Sequence, residues 1–219
     1  MASGPAPLIE ESATLRAYRV LEQMLVTLAL EPGHTTTEGA LIDRLALGRT
    51  PVREAVQRLS WEGLLTVRPR AGIEVAPLHA ADWLRVVDAR RGVEGVIARS
   101  AARHLSPRDT LALQAAAVAM HDAVLASDVL AFLQADKVLD EALARACDNA
   151  FAARLAMPLQ THSRRFWYRY QANTGLAEAA EHHVALIGKI LDRDGEAAEA
   201  EAARLMDLLR GHALMAIAR

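Results

Sequence analysis

One stretch of the chain, residues 45–59, constrains the possible fold more than any other. Thr50 is a favourable N-cap, and Pro51 suits the first helical position because its missing N–H would have no intrahelical acceptor there. Apolar side chains recur at helical spacing on one side: Val52, Ala55, Val56 and Leu59. Polar side chains four residues apart line the opposite side: Arg49, Arg53 and Gln57. The stretch therefore predicts a helix with one packed face and one exposed polar face.

An exposed row of this kind at the beginning of a helix suits the major groove of DNA. Arginine can bind guanine through two hydrogen bonds, and glutamine can bind adenine in the same way. The Thr50 hydroxyl and the N–H groups of the first helical turn can hold a phosphate. A charged face that is simply solvated is the alternative, and the flanking segments decide between the two.

The segment before this helix predicts two further helices. Residues 14–30 carry apolar side chains at helical spacing, and the pattern ends at Glu31-Pro32-Gly33. The inward positions are Leu15, Tyr18, Leu21, Leu25 and Leu28. Thr37 can cap a second, shorter helix whose inward residues are Leu41, Ile42 and Leu45. The Leu47-Gly48 turn then leads into the polar-faced helix, which gives a helix-turn-helix arrangement.

The segment after this helix predicts a β-hairpin. Two short β-prone runs, Leu64–Val67 and Ile73–Ala76, are joined by Arg68-Pro69-Arg70-Ala71-Gly72. Proline and glycine are turn residues, so the two arginines would lie at the tip of the hairpin. Such arginines can contact phosphates or the minor groove, or they can be only solvated. Together these elements predict a winged helix-turn-helix.

The first 78 residues resemble a known family at several motifs. Residues 13–78 resemble the DNA-binding domain of the GntR family of bacterial transcription regulators, and the matching motifs are Pro32-Gly33, Arg49-Thr50-Pro51-Val52-Arg53-Glu54-Ala55, Arg58-Leu59 and Glu62-Gly63-Leu64. The chain departs from the family at Ala46-Leu47-Gly48, where Gly-Val-Ser is usual, and at Gly39, where some relatives carry a DNA-contacting arginine. The predicted DNA-binding residues are Arg49, Thr50, Arg53, Gln57, Arg58, Arg68, Arg70 and Gly72.

Charge distribution agrees with this assignment better than total charge does. The chain has a formal net charge of −2, which does not by itself indicate nucleic-acid binding. Residues 49–70, however, contain five arginines and two glutamates, a local balance of +3. Residues 1–12 lack periodicity and read as a mobile tail. The chain shows neither a secretory segment nor an apolar run long enough to cross a bilayer, so we expect a cytoplasmic protein without membrane attachment.

The remainder of the chain, residues 79–219, predicts an all-α helical bundle. Pro77-Leu78-His79 marks the boundary between the two domains. About six Ala- and Leu-rich helices are expected, near 82–103, 106–125, 128–147, 149–171, 177–193 and 196–217. Ser106 and Asp128 are cap signals, and Gly175 and Gly195 are expected breaks. Pro158 should kink or shorten its helix. Bundles of this kind often place ligands between facing helices.

This second domain resembles, more weakly, the ligand-sensing domain of the FadR-like (FCD) branch of the GntR family. The matching segments are Arg91-Gly92-Val93-Glu94, Asp136 through Asn149, and Glu181 through Asp194. In many members one Asp and three His hold a divalent metal that helps to bind a carboxylate effector. Here Asp136 and His183 match two of these ligands, whereas Asp140 and Leu205 stand where two histidines would be. The resemblance thus leaves open a reduced Asp136/Asp140/His183 site for a divalent metal such as Zn, or a pocket that has lost its metal.

Effector binding is predicted at residues of the matched segments: Arg91, Asp136, Asp140, Asn149 and His183. Arginines are candidates because a guanidinium pairs with a carboxylate through two hydrogen bonds. Further arginines considered for this role are Arg154, Arg164 and Arg165. Phe166-Trp167-Tyr168 could line a pocket or an interface, although core packing is the simpler interpretation. The unmatched histidines His162, His182 and His212, and the single Cys147, are read as packing or surface residues.

These features together predict a homodimeric transcriptional regulator, a repressor, that binds a palindromic double-stranded operator and responds to a small acidic metabolite. Two alternatives remain open. In the first, Asp136, Asp140 and His183 hold a metal that activates water, so that the chain is a metal-dependent hydrolase. In the second, a DNA-binding domain is fused to a bundle that only dimerises.

Overall fold

The chain divides into two units between Pro77 and Leu78. The computed structural model describes residues 11–171 and 175–218. The expected tail at 1–12 therefore lies almost entirely outside the described residues. No helix within the two described stretches is long and apolar enough to cross a lipid bilayer.

The helices of the N-terminal unit lie where the sequence predicts them, with different ends. They are α1 (Ala13–Val26), α2 (Glu38–Leu45) and α3 (Arg49–Trp61), and the short strand β1 (Thr35–Thr36) precedes α2. The hydroxyls of Ser12 and Thr37 accept hydrogen bonds from backbone N–H groups three residues further on and so cap α1 and α2. Helix α1 ends before Leu28, which has a positive φ of 57°. Leu15, expected inside, is 37% exposed.

Helix α3 begins two residues earlier than the sequence predicts. Gly48 is its N-cap, and no side chain bonds to the first-turn N–H groups. The predicted N-cap at Thr50 and first helical position at Pro51 are therefore wrong, because Arg49 already belongs to the helix. Pro51 still lies in the first turn, where an N–H has no intrahelical acceptor, so the proline is tolerated.

The wing is a hairpin whose strands are each displaced by one residue from the prediction. They are β2 (Leu65–Arg68) and β3 (Gly72–Val75), paired antiparallel with Leu65 opposite Val75. Strand β1 adds to the other side of β3, with Thr36 opposite Ile73, so the order is β1-β3-β2. The sequence does not reveal β1, since two residues are too few to show an alternating pattern.

One apolar core joins the elements of the N-terminal unit. Its fully buried side chains come from α1, α2, α3 and β3 and include Leu21, Leu25, Leu41, Val52, Leu59 and Val75. The predicted packed face of α3 is confirmed, because Val52, Ala55, Val56 and Leu59 are all buried. This packing fixes which face of α3 points outward.

The second unit is helical throughout its described residues, as predicted. Its helices are α4 (Ala80–His104), α5 (Pro107–Ala126), α6 (Val129–Ala146), α7 (Ala150–Tyr170), α8 (Leu176–Leu191) and α9 (Gly195–Ile217). Ser106 and Asp128 cap α5 and α6 as expected. Helix α4 packs against α6, α7, α8 and α9 and so forms the centre of the bundle.

Two local expectations for the bundle need correction. Helix α7 is not shortened at Pro158 and continues to Tyr170. Gly195 is not a break but the first residue of α9, which the Asp194 side chain caps. A Cβ at Gly195 would lie 3.2 Å from the carbonyl oxygen of Arg99 in α4. The glycine therefore permits a close approach of α9 to α4 rather than ending a helix.

Candidate DNA-binding surface and ligand cavity

The exposed face of α3 carries the predicted DNA-reading side chains. Arg49, Thr50, Arg53 and Gln57 are all exposed, whereas the opposite face of the helix is buried in the core. Arg49 lies 4.0 Å from the Glu38 carboxylate, the limit of an ion pair. Arg53 forms no ion pair or side-chain hydrogen bond with the residues that the structure describes. Two guanidiniums, an amide and a hydroxyl are thus presented together at the N-terminal end of α3, where DNA bases and phosphates can be bound.

Arg58 has a different environment from the other predicted DNA-binding arginines. Its Nε donates to Glu62 at 2.9 Å, and its guanidinium lies 3.8 Å from the centroid of the Tyr18 ring. The Tyr18 hydroxyl donates to the same carboxylate at 2.8 Å. Burial, together with the charges of Glu22 and Glu62, raises the pKa of Tyr18, which keeps this hydroxyl protonated. Arg58 therefore helps to fasten α1 to α3, and its contact with DNA stays a prediction.

The wing presents its arginines in two different ways. Arg68 pairs with Glu74 on the neighbouring strand at 2.5 Å. Arg70 lies at the tip with φ of 64°. Gly72 has φ of 104°, and a Cβ there would approach the carbonyl oxygen of Thr36 to 2.6 Å. Gly72 thus has a structural role in joining the wing to β1. Arg70 is exposed and forms no ion pair with the described residues, unlike Arg68.

The second unit contains a cavity at the centre of the bundle. Its lining combines charged, polar and apolar side chains from α4, α6, α7, α8 and α9: Arg90, Phe132, Leu133, Asp136, Ser163, Arg164, Trp167, Ala179, His183 and Leu209. The cavity volume is about 20 Å³, which is room for about one water molecule. Several of its charged side chains are almost completely buried, so each requires a partner.

Arg164 joins the two aspartates of the predicted ligand site. Its Nη1 lies 2.5 Å from Oδ2 of Asp140 and 3.3 Å from Oδ2 of Asp136. The other oxygen of Asp136, Oδ1, lies 2.9 Å from Nε2 of His183. The Nδ1 atom of His183 lies 2.6 Å from the carbonyl oxygen of Ala179, which orients the ring. The structure therefore brings Asp136, Asp140 and His183 together, with a guanidinium between the carboxylates.

Burial makes the protonation of these groups unequal. Burial would raise the pKa of Asp136, but the hydrogen bond and charge of His183, with the charge of Arg164, hold it well below its ordinary value. Burial and the nearby charge of Asp136 instead raise the pKa of Asp140 to about 7. Burial would lower the pKa of His183, but Asp136 raises it above 6.5. Asp136 and His183 thus form the strongly ionised pair of the cavity.

A second buried ion pair lies beside the first. Arg90 and Glu94, one turn apart on α4, are bonded at 2.8 Å, and Gln160 Nε2 donates to the same Glu94 oxygen at 3.2 Å. Trp167, also in the cavity lining, has a buried Nε1–H that has no hydrogen-bond partner among the described residues. A buried donor without an acceptor is costly, so this indole group is available to a ligand.

The residues present do not fit a bound metal in this arrangement. Within residues 11–171 and 175–218, no three His, Cys, Asp or Glu side chains are grouped so as to hold a metal ion. The Oδ2 atoms of Asp136 and Asp140 both face the Arg164 guanidinium, and Oδ1 of Asp136 faces His183. A cation entering between the aspartates would meet a positive charge that is already there. The donor set is therefore that of an ion-pair network.

Two predicted effector residues lie elsewhere. Arg91 pairs with Asp207 of α9 and does not line the cavity. The helix turns by about 100° per residue, so the neighbouring Arg90 faces the cavity instead. Asn149 caps α7 by accepting a hydrogen bond from the N–H of Ala152 and is also absent from the lining. The effector role that the matched motifs suggested for these two residues therefore has no support in the geometry.

The remaining candidate arginines and the aromatic run lie in different environments. Arg164 lies in the cavity, whereas Arg154 is exposed and stacks on Phe151. Arg165 is fully buried outside the lining, and its burial lowers its pKa to about 10. Trp167 packs 5.3 Å from Phe132, ring centre to ring centre, so the aromatic run provides both core and cavity wall.

The sequence did not reveal Arg90, Gln160 and Ser163 as residues of this site. It gave Trp167 only as part of an aromatic run that could line a pocket. One signal for Arg90 existed. Arg90 and Glu94 lie at helical spacing with Trp83, Val87 and Ile97, all of which are buried. A charged pair on the apolar stripe of a helix indicates a buried ion pair.

Comparison with known proteins agrees with both units. The model of bacterial regulatory proteins of the gntR family matches residues 13–75, and the FCD domain model matches residues 85–208. An uncharacterized HTH-type transcriptional regulator of Agrobacterium vitis is 32% identical over 82 residues, 37% of this chain and 48% of that protein. This chain thus spans about half the length of that relative.

Two further comparisons extend over nearly the whole chain. The HTH-type transcriptional repressor GlaR of Escherichia coli is 26% identical, and the match covers 93% of this chain and 94% of that protein. The solved structure of E. coli McbR/YncC has a TM-score of 0.80 at 20% identity and covers 94% of this chain and 99% of that one. The second comparison establishes likeness of fold.

A winged helix-turn-helix followed by a helical bundle defines a DNA-binding transcriptional regulator with an effector domain. The chain belongs to the gntR family of bacterial regulatory proteins and carries an FCD domain. The family and the similar proteins are transcriptional regulators and not enzymes. The alternative of a metal-dependent hydrolase is thereby set aside.

Proposed function

We propose that this regulator is a repressor that binds a palindromic operator as a homodimer and responds to a small carboxylate metabolite. The observation that carries the DNA-binding part is the exposed face of α3, with Arg49, Arg53 and Gln57 opposite a fully buried face. Repression is supported by the similar protein GlaR, which is described as a repressor. A repressor of this kind would act on chromosomal DNA in the bacterial cytoplasm.

Each subunit inserts the beginning of α3 into the major groove of one half-site. Arg53 reads a base, and the wing's Arg70 contacts the phosphate backbone. Two copies related by a twofold axis then require two half-sites of inverted orientation. The local positive balance is modest, so affinity depends on both copies and falls with salt.

The DNA-binding part is tested by selecting operator fragments from random duplexes and measuring affinity for Arg53→Ala. The loss should be about 1–3 kcal/mol, with relaxed preference at one base pair per half-site. Arg108→Ala, an exposed arginine of α5 in the other unit, is the matched control and should bind as wild type. An equal loss on all sequences would reduce Arg53 to a phosphate contact, and absence of selected sequences would overturn the function.

An exposed apolar stripe on α5 supports the homodimer. Leu111, Val118 and Leu125 follow each other at seven-residue intervals and are 67%, 61% and 72% exposed. Seven residues are almost two helical turns, so the three side chains share one side of the helix. A second copy of the chain can cover such a stripe, since two α5 helices would bury it symmetrically.

The oligomeric state tests this part. Val118→Glu should convert the dimer to a monomer in light scattering coupled to size exclusion, because an unpaired charge would be buried at the interface. Leu155→Glu on α7, where leucine is 61% exposed, is the control and should remain dimeric. If only the Leu155→Glu variant is monomeric, the interface lies on α7 and not on α5. A monomeric wild type would refute the dimer.

The effector part rests on the cavity, whose lining includes two buried, ion-paired arginines and the tryptophan Trp167 with its unpaired N–H. An effector changes DNA affinity only as far as it prefers one of two states of the dimer. The small cavity volume favours one competing function, a bundle that dimerises and senses nothing. Thermal-shift screening with carboxylates separates the two, because a true effector raises the melting temperature with concentration.

A further inference from the structure

The positive charge between Asp136 and Asp140 is supplied by the chain itself. Arg164 reaches both carboxylates through Nη1, and its Nη2 donates to the Thr161 hydroxyl one turn earlier at 3.3 Å. All these side chains are at least nine-tenths buried. A guanidinium held on several sides by hydrogen bonds is a fixed cation, because its planar shape leaves few alternative positions.

The carboxylates around the cavity are already paired without any added ion. Arg90 and Arg164 carry two positive charges, and Nε2 of His183 lies 2.9 Å from Asp136. Opposite them stand the carboxylates of Asp136, Asp140 and Glu94. A divalent metal would add two positive charges beside Arg164, and the Coulomb repulsion at this distance in a buried site would be large.

We propose that Arg164 is the resident cation of a metal-independent site. The proposal rests on the proposed effector role of the cavity and removes the metal ion from that role. In this proposal the Arg164 guanidinium takes the position of the metal ion expected among Asp136, Asp140 and His183.

The proposal is tested on the full-length protein by elemental analysis and by calorimetric titration with Zn²⁺ and Mn²⁺. Wild type should contain no stoichiometric metal and show no binding of either ion to this site. Arg164→Met should gain metal binding, because it releases Asp136, Asp140 and His183. Arg169→Met, an exposed arginine of the same helix, is the control and should behave as wild type.

Several outcomes would overturn the metal-independent site. One is stoichiometric metal in wild type that is lost in Asp136→Ala. Another is an Arg164→Met protein that is folded but no better than wild type at binding either ion. If Arg164→Met does not fold, Arg164→Gln keeps a hydrogen-bond donor without the charge, and the same gain of metal binding is expected of it.

These outcomes are distinguishable from failure of the proposed function. Operator binding by the winged helix-turn-helix does not require the cavity to have any particular chemistry. A wild type that binds its operator but holds a metal overturns only the role of Arg164. A wild type that binds no operator overturns the function, whatever the cavity contains.

Discussion

Ala46 holds a backbone conformation that glycine adopts far more easily. It ends α2 with φ of 50° and ψ of 40°, in the left-handed region. The related family usually has glycine at the beginning of this turn, so the alanine is a departure with a measurable strain. Left-handed geometry costs a non-glycine residue about 1 kcal/mol or somewhat more.

Ala46→Gly should therefore stabilise the N-terminal unit by roughly 0.5–1 kcal/mol, the strain relieved less the added freedom of the unfolded chain. Hydrogen exchange of peptides within residues 13–75 of the full-length protein measures this. Ala40→Gly, inside α2, is the control and should destabilise by up to about 1 kcal/mol. Faster exchange in Ala46→Gly would contradict the strain.

Gly72→Ala should disrupt the wing. The new Cβ would lie 2.6 Å from the Thr36 carbonyl oxygen, so β1 and β3 must separate, and the positive φ adds strain. We expect a loss of about 2 kcal/mol or more and weaker operator binding. Gly39→Ala is the matched control, because the nearest atom to its Cβ is 3.9 Å away. Equal exchange protection in the two variants would show that the sheet accommodates the methyl group.

At the level of elements, α1 and α3 are joined by a polar cluster at the edge of their apolar contact. The Tyr18 hydroxyl and the Arg58 guanidinium both donate to the Glu62 carboxylate, and the guanidinium also lies over the Tyr18 ring. Because α1 supports the back of α3, this cluster fixes the helix that carries Arg53. Loss of this cluster should lower the stability of the N-terminal unit, and DNA binding should weaken only as a consequence of that lower stability.

Tyr18→Phe should cost the N-terminal unit about 1 kcal/mol, since Glu62 loses one donor while Arg58 keeps its ring contact. The readout is the concentration of urea at which α1 peptides lose exchange protection. Tyr168→Phe serves as control, because Tyr168 makes no side-chain hydrogen bond with any described residue. If the two variants are alike, the hydroxyl of Tyr18 contributes nothing.

Most elements could be predicted from the sequence because their signals are local. Caps at Thr37, Ser106 and Asp128 and the helical spacing of apolar residues are properties of neighbouring residues. The predicted beginning of α3 is two residues too late because Gly48 caps through its backbone shape, which leaves no side-chain signal. Strand β1 exists only through its pairing with β3, a contact distant in sequence.

The exposed polar face of α3 could be predicted for the same reason, whereas the lining of the cavity could be predicted only in part. Asp136, Asp140 and His183 were found from matched motifs, yet their partner Arg164 was only one of several candidate arginines. Which guanidinium points inward depends on how α7 is rotated against α6, and no pattern within one helix records that. The sequence pointed to Arg91 because Arg91 lies in the matched motif. A motif match does not show which of two neighbouring helical side chains points into the cavity, and here it is Arg90.

For the whole molecule, the salt dependence of operator binding should report how many cations contact phosphate. Arg70→Ala should lower the slope of log K against log salt by about 1 per subunit, with base preference unchanged. Arg68→Ala should lower the slope less, because Glu74 already neutralises part of that charge. Fluorescence anisotropy at several salt concentrations measures both. A changed base preference in Arg70→Ala would instead assign the wing to sequence reading.

The guanidinium between Asp136 and Asp140 determines which signals this regulator can respond to. A bound ion can be lost, exchanged or limited by supply, so a sensor built on one responds to two inputs at once. Arg164 is translated with the chain and is in place whenever the bundle is folded. A regulator built in this way keeps its cation during metal starvation, and its output then follows the concentration of its ligand alone.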